Sequence, residues 1–304
     1  MVQNDAVTLS PTAAGRALRV VREHTEHARW EMVSAAPPPA LAGLVDGDYC
    51  GWWETSSRPF RRLEVPSSIV PLILNLGPPL LVVAPGEHQA SAPAAPLLAS
   101  FTAGMSDAYA LTESHGTSYG VQVNLTPLAA YRALAVPMHR LKNRVVPLES
   151  VLGAAGAALV ERLGNTAGWS DRFDLLDEFL LARLVDADPP APGVAWAWDR
   201  LQASGGRAAI RGLAEQLGWS HRRLIAGFRE HIGLTPKTAA RVLRFHGAVS
   251  ALRANAGVDW ADVAYGCGYF DQSHLIRDFA EFAGTTPTDF RRRILPAGGG
   301  VLGE

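Results

Sequence analysis

The feature that most constrains the fold is an internal repeat in the last third of the chain. Each copy has apolar residues at positions i, i+3, i+4 and i+7, a spacing that predicts a helix with one buried face. The two sets lie fifty residues apart: Ile210, Leu213, Ala214 and Leu217, then Trp260, Val263, Ala264 and Cys267. A segment that repeats itself in this way is expected to fold as two similar helical units.

Each copy continues with a turn and a second helix. Gly218 and Gly268 stand where the first helix must end, and glycine readily takes the left-handed backbone found at such ends. Ser220 is a natural N-cap for the next helix of unit one, and Asp271 can serve the same role in unit two. After one inserted residue, the apolar pairs that anchor the second helices recur: Leu224 and Phe228, then Leu275 and Phe279. The pattern predicts two helix-turn-helix units, a motif whose second helix enters the DNA major groove.

A predicted helix at 236–255 joins the two units. It starts with Thr235 as a cap and Pro236 at the first helical position. At 1.5 Å per residue, a helix of about 19 residues spans roughly 28 Å. Recognition helices must lie about 34 Å apart to enter successive major grooves on one face of DNA. A rigid connector of this length, with the dimensions of the units themselves, fits that geometry.

A proline-rich segment at 186–193 marks a division that the net charge conceals. The 304 residues carry a formal net charge of −1. Residues 194–304 hold 14 arginines and lysines against 10 aspartates and glutamates, whereas residues 1–193 hold 14 against 19. We therefore predict a sensor or dimerisation domain at 15–186, a linker at 187–193 and a basic DNA-binding domain at 194–295.

The first half predicts a different architecture from the second. Short apolar runs separated by Gly, Pro, Ser and Asn occur at 30–35, 49–55, 69–75, 80–84, 108–112 and 118–125. A helix is predicted to begin at Pro127, and apolar residues recur at helical spacing at 152–163 and 171–185. We predict an α+β domain, a small antiparallel β barrel or sandwich with helices, followed by an all-α domain. The helices at 152–163 and 171–185 form either an intrachain bundle or a dimer interface. The ends, 1–14 and 297–304, are expected to be disordered.

The first half contains few residues that could bind a metal or take part in catalysis. The chain contains two cysteines, too few for a disulfide framework or a four-cysteine zinc site. It has no His-x-His pair, and surface loops are the expected place for Glu87-His88 and for Glu113 with His115. We predict no metal, no cofactor and no catalytic residues. Trp52 and Trp53 are adjacent in a predicted strand, so one of them should face the interior. No signal peptide or membrane span is apparent, and a cytoplasmic location is expected.

Two stretches carry a resemblance to a known family. They are LAEQLGWSHRRLIAGFREHIGLTPKTAARVLRF at 213–245 and VAYGCGYFDQSHLIRDFAEFAGTTPTDFRR at 263–292. Both resemble the DNA-binding domain of the AraC/XylS transcription regulators. The first half is similar to a sensor type found fused to such domains, through VPSSIVPLILNLG, GVQVNLTPLAAYRALAVPMHRLKNRVVPLESVLG and RFDLLDEFLLARL.

The resemblance implies which residues touch DNA. The implied base-reading positions, near the start of each second helix, are His221, Arg222, Ile225, Ala226, Gln272, Ser273, Ile276 and Arg277. Arginine can bond a guanine edge bidentately and glutamine an adenine edge. Phosphate contacts are expected from Arg223, Arg229, Lys237, Arg241, Arg244, Arg291, Arg292 and Arg293. Many family members have a polar or basic residue where this chain has Ala226, so unit two is expected to read more sequence than unit one.

The function implied is a sequence-specific transcription regulator, more often a promoter-proximal activator than a repressor. Its implied partner is double-stranded DNA. RNA polymerase, a small-molecule effector and a second copy of the chain remain open as further partners. Two other classes of protein are alternatives to this prediction. One is an enzyme whose N-terminal barrel is catalytic, and the other is a partner-binding adaptor that has lost DNA binding. No acid–base, nucleophile or metal constellation supports the enzyme.

Overall fold

The computed structural model describes residues 5–11, 16–85, 96–185, 187–254, 259–295 and 299–303. An antiparallel sheet with three helices is followed by a wholly helical region, which confirms the predicted fold class. None of the helices in these ranges is both long and apolar enough to cross a membrane.

In the part of the chain that the structure describes, ten strands form one antiparallel sheet. Hydrogen bonding places them in the order β1-β2-β3-β4-β9-β5-β8-β10, and β6 pairs with β9 and β7. The strands are β1 (Asp5–Pro11), β2 (Ala17–His24), β3 (Ala28–Ala35), β4 (Tyr49–Glu64), β5 (Val70–Asn75), β6 (Leu80–Val83), β7 (Leu97–Leu98), β8 (Phe101–Ala103), β9 (Ala110–Leu125) and β10 (Val145–Pro147). Side chains from β3 and from β10 line one cavity, so the sheet curls until strands far apart in its order face each other.

A single long strand, β9, replaces two of the predicted strands. Gly116 lies at the centre of β9 with a φ of +66°, which only glycine adopts without strain. Opposite it, the register of β4 shifts between Ser56 and Phe60. This bulge bends both strands together without ending the ladder, so the glycine that resembles a strand terminator in the sequence is a bend within one strand.

Three helices cover one face of the sheet. They are α1 (Pro127–Leu134), α2 (Leu148–Gly164), interrupted at Gly153, and α3 (Trp169–Val185). The Trp169 ring lies against β4 at Gly51, where a Cβ atom would come within 2.4 Å of it. The predicted apolar stripes of α2 and α3 are buried in the core of their own chain, so this packing is intrachain.

The C-terminal region contains seven helices among its described residues. They are α4 (Pro192–Ala203), α5 (Ile210–Gln216), α6 (His221–His231), α7 (Pro236–Ala254), α8 (Trp260–Gly266), α9 (Gln272–Ala283) and α10 (Pro287–Arg292). The pairs α5–α6 and α8–α9 are the two predicted helix-turn-helix units, and α7 is the predicted connector. α4 begins at Pro192, inside the segment predicted as a linker.

The buried residues fall into two large clusters that divide α7 between them. The first, cluster one, runs from the sheet through α1–α3 to unit one and the N-terminal half of α7, as far as Leu243. The second, cluster two, contains the core of unit two and the C-terminal half of α7, from Phe245 onward. Leu63 of β4 is buried in cluster two, with Tyr109 and Leu111 packed against it. The N-terminal domain therefore contacts both units.

The expectation of disorder at both ends was wrong for residues 5–11 and 299–303, whereas 1–4, 12–14, 297–298 and 304 lie outside the described residues. Within 1–14, residues 5–11 form β1, which pairs with β2, a strand absent from the predicted set. Within 297–304, residues 299–303 lie along β4, and Val301 is buried. Pairing with a sheet edge orders both segments, and neither carries a periodic pattern of its own that would predict it.

We predict that Phe245→Ala destabilises the protein by about 3–5 kcal/mol, the usual cost of emptying a phenylalanine site in a core. The Phe245 ring packs against Phe279 and Phe282 at centroid distances of 4.9 and 5.3 Å. Urea denaturation measures the loss. Ser250→Ala, on the exposed side of the same helix, is the control and should stay within about 0.5 kcal/mol of the parent. Equal effects of the two changes would contradict the packing.

We also predict a pH-dependent contribution from His246, whose Nδ1 lies 2.9 Å from the Ser68 hydroxyl. Burial lowers the pKa of His246, opposed by Asp46 and reinforced by Arg253. As pH falls below about 6.5, the unfolded chain takes up a proton that the folded imidazole resists, so stability should fall. Free energies of unfolding at about pH 7.5 and 5.5 should therefore differ more for the parent than for His246→Gln. Identical differences would show that His246 does not contribute.

Candidate nucleic-acid interface

The second helix of each unit is held by a cap and two buried anchors. The Ser220 hydroxyl accepts from the backbone N–H of Arg223 at 3.2 Å, and the Asp271 carboxylate accepts from that of His274 at 2.7 Å. Before them, Gly218 and Gly268 have φ values of +63° and +76°. The four predicted anchors are fully buried: Leu224, Phe228, Leu275 and Phe279.

The opposite faces of α6 and α9 point to solvent. Seven of the eight implied base-reading residues are exposed, and the eighth, Ile225, is half-buried. The exposed seven are His221, Arg222, Ala226, Gln272, Ser273, Ile276 and Arg277. Each set lies in the first two turns of its helix, the part that reaches base edges when such a helix enters a major groove.

Gly227, in the middle of α6, has a packing role. A Cβ atom on Gly227 would come within 2.6 Å of Val194 on α4, so glycine is what lets the two helices approach. One turn earlier, the Arg223 guanidinium lies 4.4 Å from the centre of the Trp219 ring. Gly227 thus belongs to the α4 contact and not to the outward face.

A basic groove of about 500 Å³ separates the two units. Four of the implied DNA-contacting residues line it together: Lys237, Arg241, Arg244 and Arg277. Arg207 and His274 line it as well, with Asp278 and Glu281 on the α9 side. The fold therefore concentrates positive charge where α7, α9 and the segment before α5 meet, although these residues are far apart in sequence.

Two of these arginines are engaged inside the domain. Arg241 donates to Asp278 at 2.7 Å and to Glu281 at 2.9 and 2.6 Å, and these bonds raise the pKa of Arg241 against the effect of burial. Arg244 donates to the carbonyl of Gly206 at 2.7 Å. Both side chains tie α7 to a neighbouring segment.

The other residues expected to contact phosphate lie on α6 and at the end of α10. Arg223 and Arg229 are exposed on α6. The three consecutive arginines at the end of α10 do not line the groove: the Arg291 guanidinium stacks on Trp260 at 5.0 Å, Arg292 pairs with Asp289 at 3.1 Å, and the carbonyl of Arg293 accepts from Leu302.

Three residues at this surface escaped the sequence reasoning. Arg207 lines the groove from the loop before α5 and donates to the Gly266 carbonyl at 3.3 Å. Phe270 is 93% exposed and Tyr265 85% exposed, both beside the turn of unit two. Phe270 stands at the inserted residue that changes the repeat offset from 50 to 51, and this irregularity was the signal available in the sequence.

The N-terminal sheet encloses a cavity of about 340 Å³. Trp52 lines it and donates to the Ser118 hydroxyl at 3.0 Å, whereas Trp53 on the other face is largely exposed, as their adjacency predicted. Glu54 is buried at the wall and pairs with Arg62. Apolar side chains make up much of the rest, among them Ile73, Leu80, Val82 and Phe101.

Within the described ranges, no three His, Cys, Asp or Glu side chains gather as metal ligands. The Nε2 of His115 lies 2.6 Å from the Oε1 of Glu113, and the Nε of Arg61 donates to the Oε2 of the same carboxylate. Burial would raise the pKa of Glu113, but Arg61 and His115 outweigh it and hold the pKa below its usual value. Glu87 and His88 lie outside the described residues.

The solved structures that are similar to this chain include the following three. ToxT from Vibrio cholerae is 9% identical, with a TM-score of 0.49, over 82% of this chain and 98% of that chain. The C-terminal domain of AraT, a response regulator from Geobacillus stearothermophilus, is 20% identical, with a TM-score of 0.33, over 37% and 93%. The AraC-like transcriptional activator CuxR is 13% identical, with a TM-score of 0.22, over 82% and 86%.

No curated protein matches the sequence. A family model described as a helix-turn-helix domain matches residues 213–293, which span unit one, α7, unit two and α10. This range contains both stretches that carry the sequence resemblance, and it agrees with the two capped units seen in the fold. The C-terminal part of the chain therefore contains a helix-turn-helix domain at residues 213–293.

Proposed function

We propose that the chain is a sequence-specific DNA-binding transcription regulator that reads successive major grooves with α6 and α9. The observation that carries the proposal is the duplication of one capped unit, with polar side chains of both copies on the exposed face. Arg222 in unit one and Arg277 with Gln272 in unit two have the donor geometry to bond purine edges.

Phosphate contacts are assigned to basic side chains that are exposed. Arg223, Arg229 and Lys237 meet this condition, and we add Arg207, which is exposed beside the groove. Arg241 and Arg244 are better explained as internal ties, because each is half-buried and its guanidinium bonds to groups of the domain. Phosphate contacts contribute affinity and register, while base contacts contribute sequence preference.

The cavity in the N-terminal sheet supports an effector-responsive regulator. Its volume falls at the lower end of the range of about 300–1,000 Å³ typical of small-molecule sites. Its mostly apolar wall with a few buried polar groups is also typical of such sites. We therefore propose that a small molecule bound there modulates DNA binding.

Selection of bound sequences from random DNA by the full chain tests the proposed function. We expect enrichment of sites whose two half-sites lie about one helical turn apart. A folded protein that shows no DNA binding even at low salt would overturn the proposal.

Arg277→Ala and Arg222→Ala should each weaken binding to the selected site by about 10- to 100-fold, the value of one bidentate base contact. Each change should also relax preference at one position of the site. Gel shifts with the selected site and single-base variants measure both effects. Arg162→Ala removes an equal charge from an exposed pair on the N-terminal domain and should leave binding unchanged. If neither arginine in the units alters affinity or preference, groove reading by these helices is wrong.

A contrast between Arg241 and Lys237 tests the division between ties and phosphate contacts. Arg241→Ala leaves the buried Asp278 carboxylate without its cation, so we expect a loss of about 3 kcal/mol of stability. Lys237→Ala should leave the stability within about 0.5 kcal/mol of that of the parent. It should also reduce the slope of log binding constant against log salt concentration by about one, the contribution of one phosphate contact. Urea denaturation measures the stability of each variant, and gel shifts at several salt concentrations measure the salt dependence of its DNA binding. The reverse pattern would make Arg241 the phosphate contact.

A further inference from the structure

Residues 299–303, the C-terminal strap, extend the sheet at an edge of β4. The N–H of Leu63 donates to the Val301 carbonyl at 2.8 Å, and that of Gly303 donates to the Arg61 carbonyl at 3.1 Å. The edge is open there because β3 pairs with β4 only as far as Ser56. The strap thus completes a ladder that would otherwise present unpaired backbone groups.

The same strap is bound to the end of unit two. The N–H of Leu302 donates to the Arg293 carbonyl at 2.9 Å, and that of Leu295 donates to the Gly300 carbonyl at 2.9 Å. Val301 is 1% exposed and belongs to cluster two, with Leu63 of β4 and Phe290 of α10. The strap therefore joins the edge of the sensor sheet to the second DNA-reading unit.

Arg62 connects the strap to the cavity. Its Nε donates to the Gly299 carbonyl at 3.0 Å, while its two terminal nitrogens bond to the Glu54 carboxylate. Glu54 also accepts from the Ser114 hydroxyl at 2.7 Å. Because Glu54, Arg62, Ser114 and Gly300 all line the cavity, a ligand that competes for Glu54 acts on the side chain that holds the strap.

We propose that the strap couples the cavity to unit two through Arg62, and that the ligand is an organic cation with an apolar body. This inference deepens the proposed function and rests on its effector cavity. The cation takes the place of Arg62 at Glu54, Arg62 withdraws from the strap, and unit two loses one of its two attachments to the sheet. Unit one remains fixed, because it shares cluster one with the N-terminal domain.

The buried Glu54 gives the cavity its preference for a cation. The carboxylates of Glu54, Glu64 and Glu113 line the cavity with the guanidiniums of Arg62 and Arg253, and Arg61 pairs with Glu113. An anion drawn to Arg62 would be placed beside the buried Glu54, and like charges at such a distance repel strongly. Trp52 also lines the cavity, and an indole ring attracts a cation more than an anion.

A further buried carboxylate lies on the same face of the sheet. Strand register aligns Glu23, Trp30 and Glu54 across β2, β3 and β4. Glu23 is 4% exposed, and its Oε2 has no hydrogen-bond partner among the described residues. Glu23 is not among the residues that line the cavity, so its unsatisfied oxygen adds negative potential on the face of the sheet where Glu54 lies without contacting the ligand.

The test uses the full chain with octylamine and 2-phenylethylamine as probes, and with octanoate and 3-phenylpropionate as matched anions. Calorimetry without DNA should detect binding of at least one amine and of neither acid. Glu54→Gln should weaken amine binding by at least tenfold. Binding of the acids but not the amines, or an unchanged affinity in Glu54→Gln, would overturn the ligand class.

Hydrogen exchange reports on the strap directly, again without DNA. Amine binding should speed exchange at the Leu63 amide, which donates to the strap, by at least fivefold. Arg62→Gln, which leaves the strap sequence intact, should show this faster exchange without any amine. An unchanged Leu63 amide in both experiments would overturn the role of Arg62.

Coupling to DNA completes the test. A saturating amine should change the affinity of the parent for its selected site by at least fivefold, a typical allosteric effect. This change should disappear in Arg62→Gln and in a chain ended after Leu295. Coupling that survives in both variants would overturn the inference, whereas a parent that binds no DNA at all would instead contradict the proposed function.

Discussion

Helix α7 is packed into both large clusters, and this packing fixes where the two helix-turn-helix units lie. Its N-terminal half is buried with unit one and the N-terminal domain, and its C-terminal half is buried with unit two. One unbroken helix of 19 residues therefore sets the distance between two recognition helices that do not share a core. Two units fixed on one rigid connector suit a target with a fixed repeat, as double-stranded DNA has along each face.

The same arrangement makes the N-terminal domain a neighbour of both units. Unit one is fused to it through a continuous core, with the His231 ring 4.4 Å from the Tyr131 ring of α1. Unit two is attached more narrowly, by Leu63 with its neighbours and by the strap. The proline-rich segment thus joins two regions that are packed together in space. A change in the sheet has a short physical path to the DNA-reading surface, and the path to unit two has fewer contacts to break.

Charge is distributed less simply than a count of arginines indicates. A surplus of basic residues in the helical half correctly pointed to nucleic acid, but some guanidiniums bond within the fold. Arg241 neutralises the buried Asp278, and Arg62 serves Glu54 and a backbone carbonyl at once. Arginine can do either task because its planar fork bonds carboxylate, carbonyl and phosphate alike. Only the positions of its partners decide which task it has.

Features that depend on neighbouring residues could be predicted from the sequence. Helical periodicity, the caps at Ser220 and Asp271 and the glycines after α5 and α8 are local effects within a few residues, so both units and their exposed faces were predictable. Strand alternation likewise placed Trp52 and Trp53 on opposite faces. Tertiary structure alone decided what depends on residues far apart in the chain: the pairing of β1 and of the strap with sheet edges, the partners of Arg241 and the bridge made by Arg62. Edge pairing uses backbone groups that every residue possesses, and an ion pair leaves no spacing in the sequence, so neither has a local signal to read.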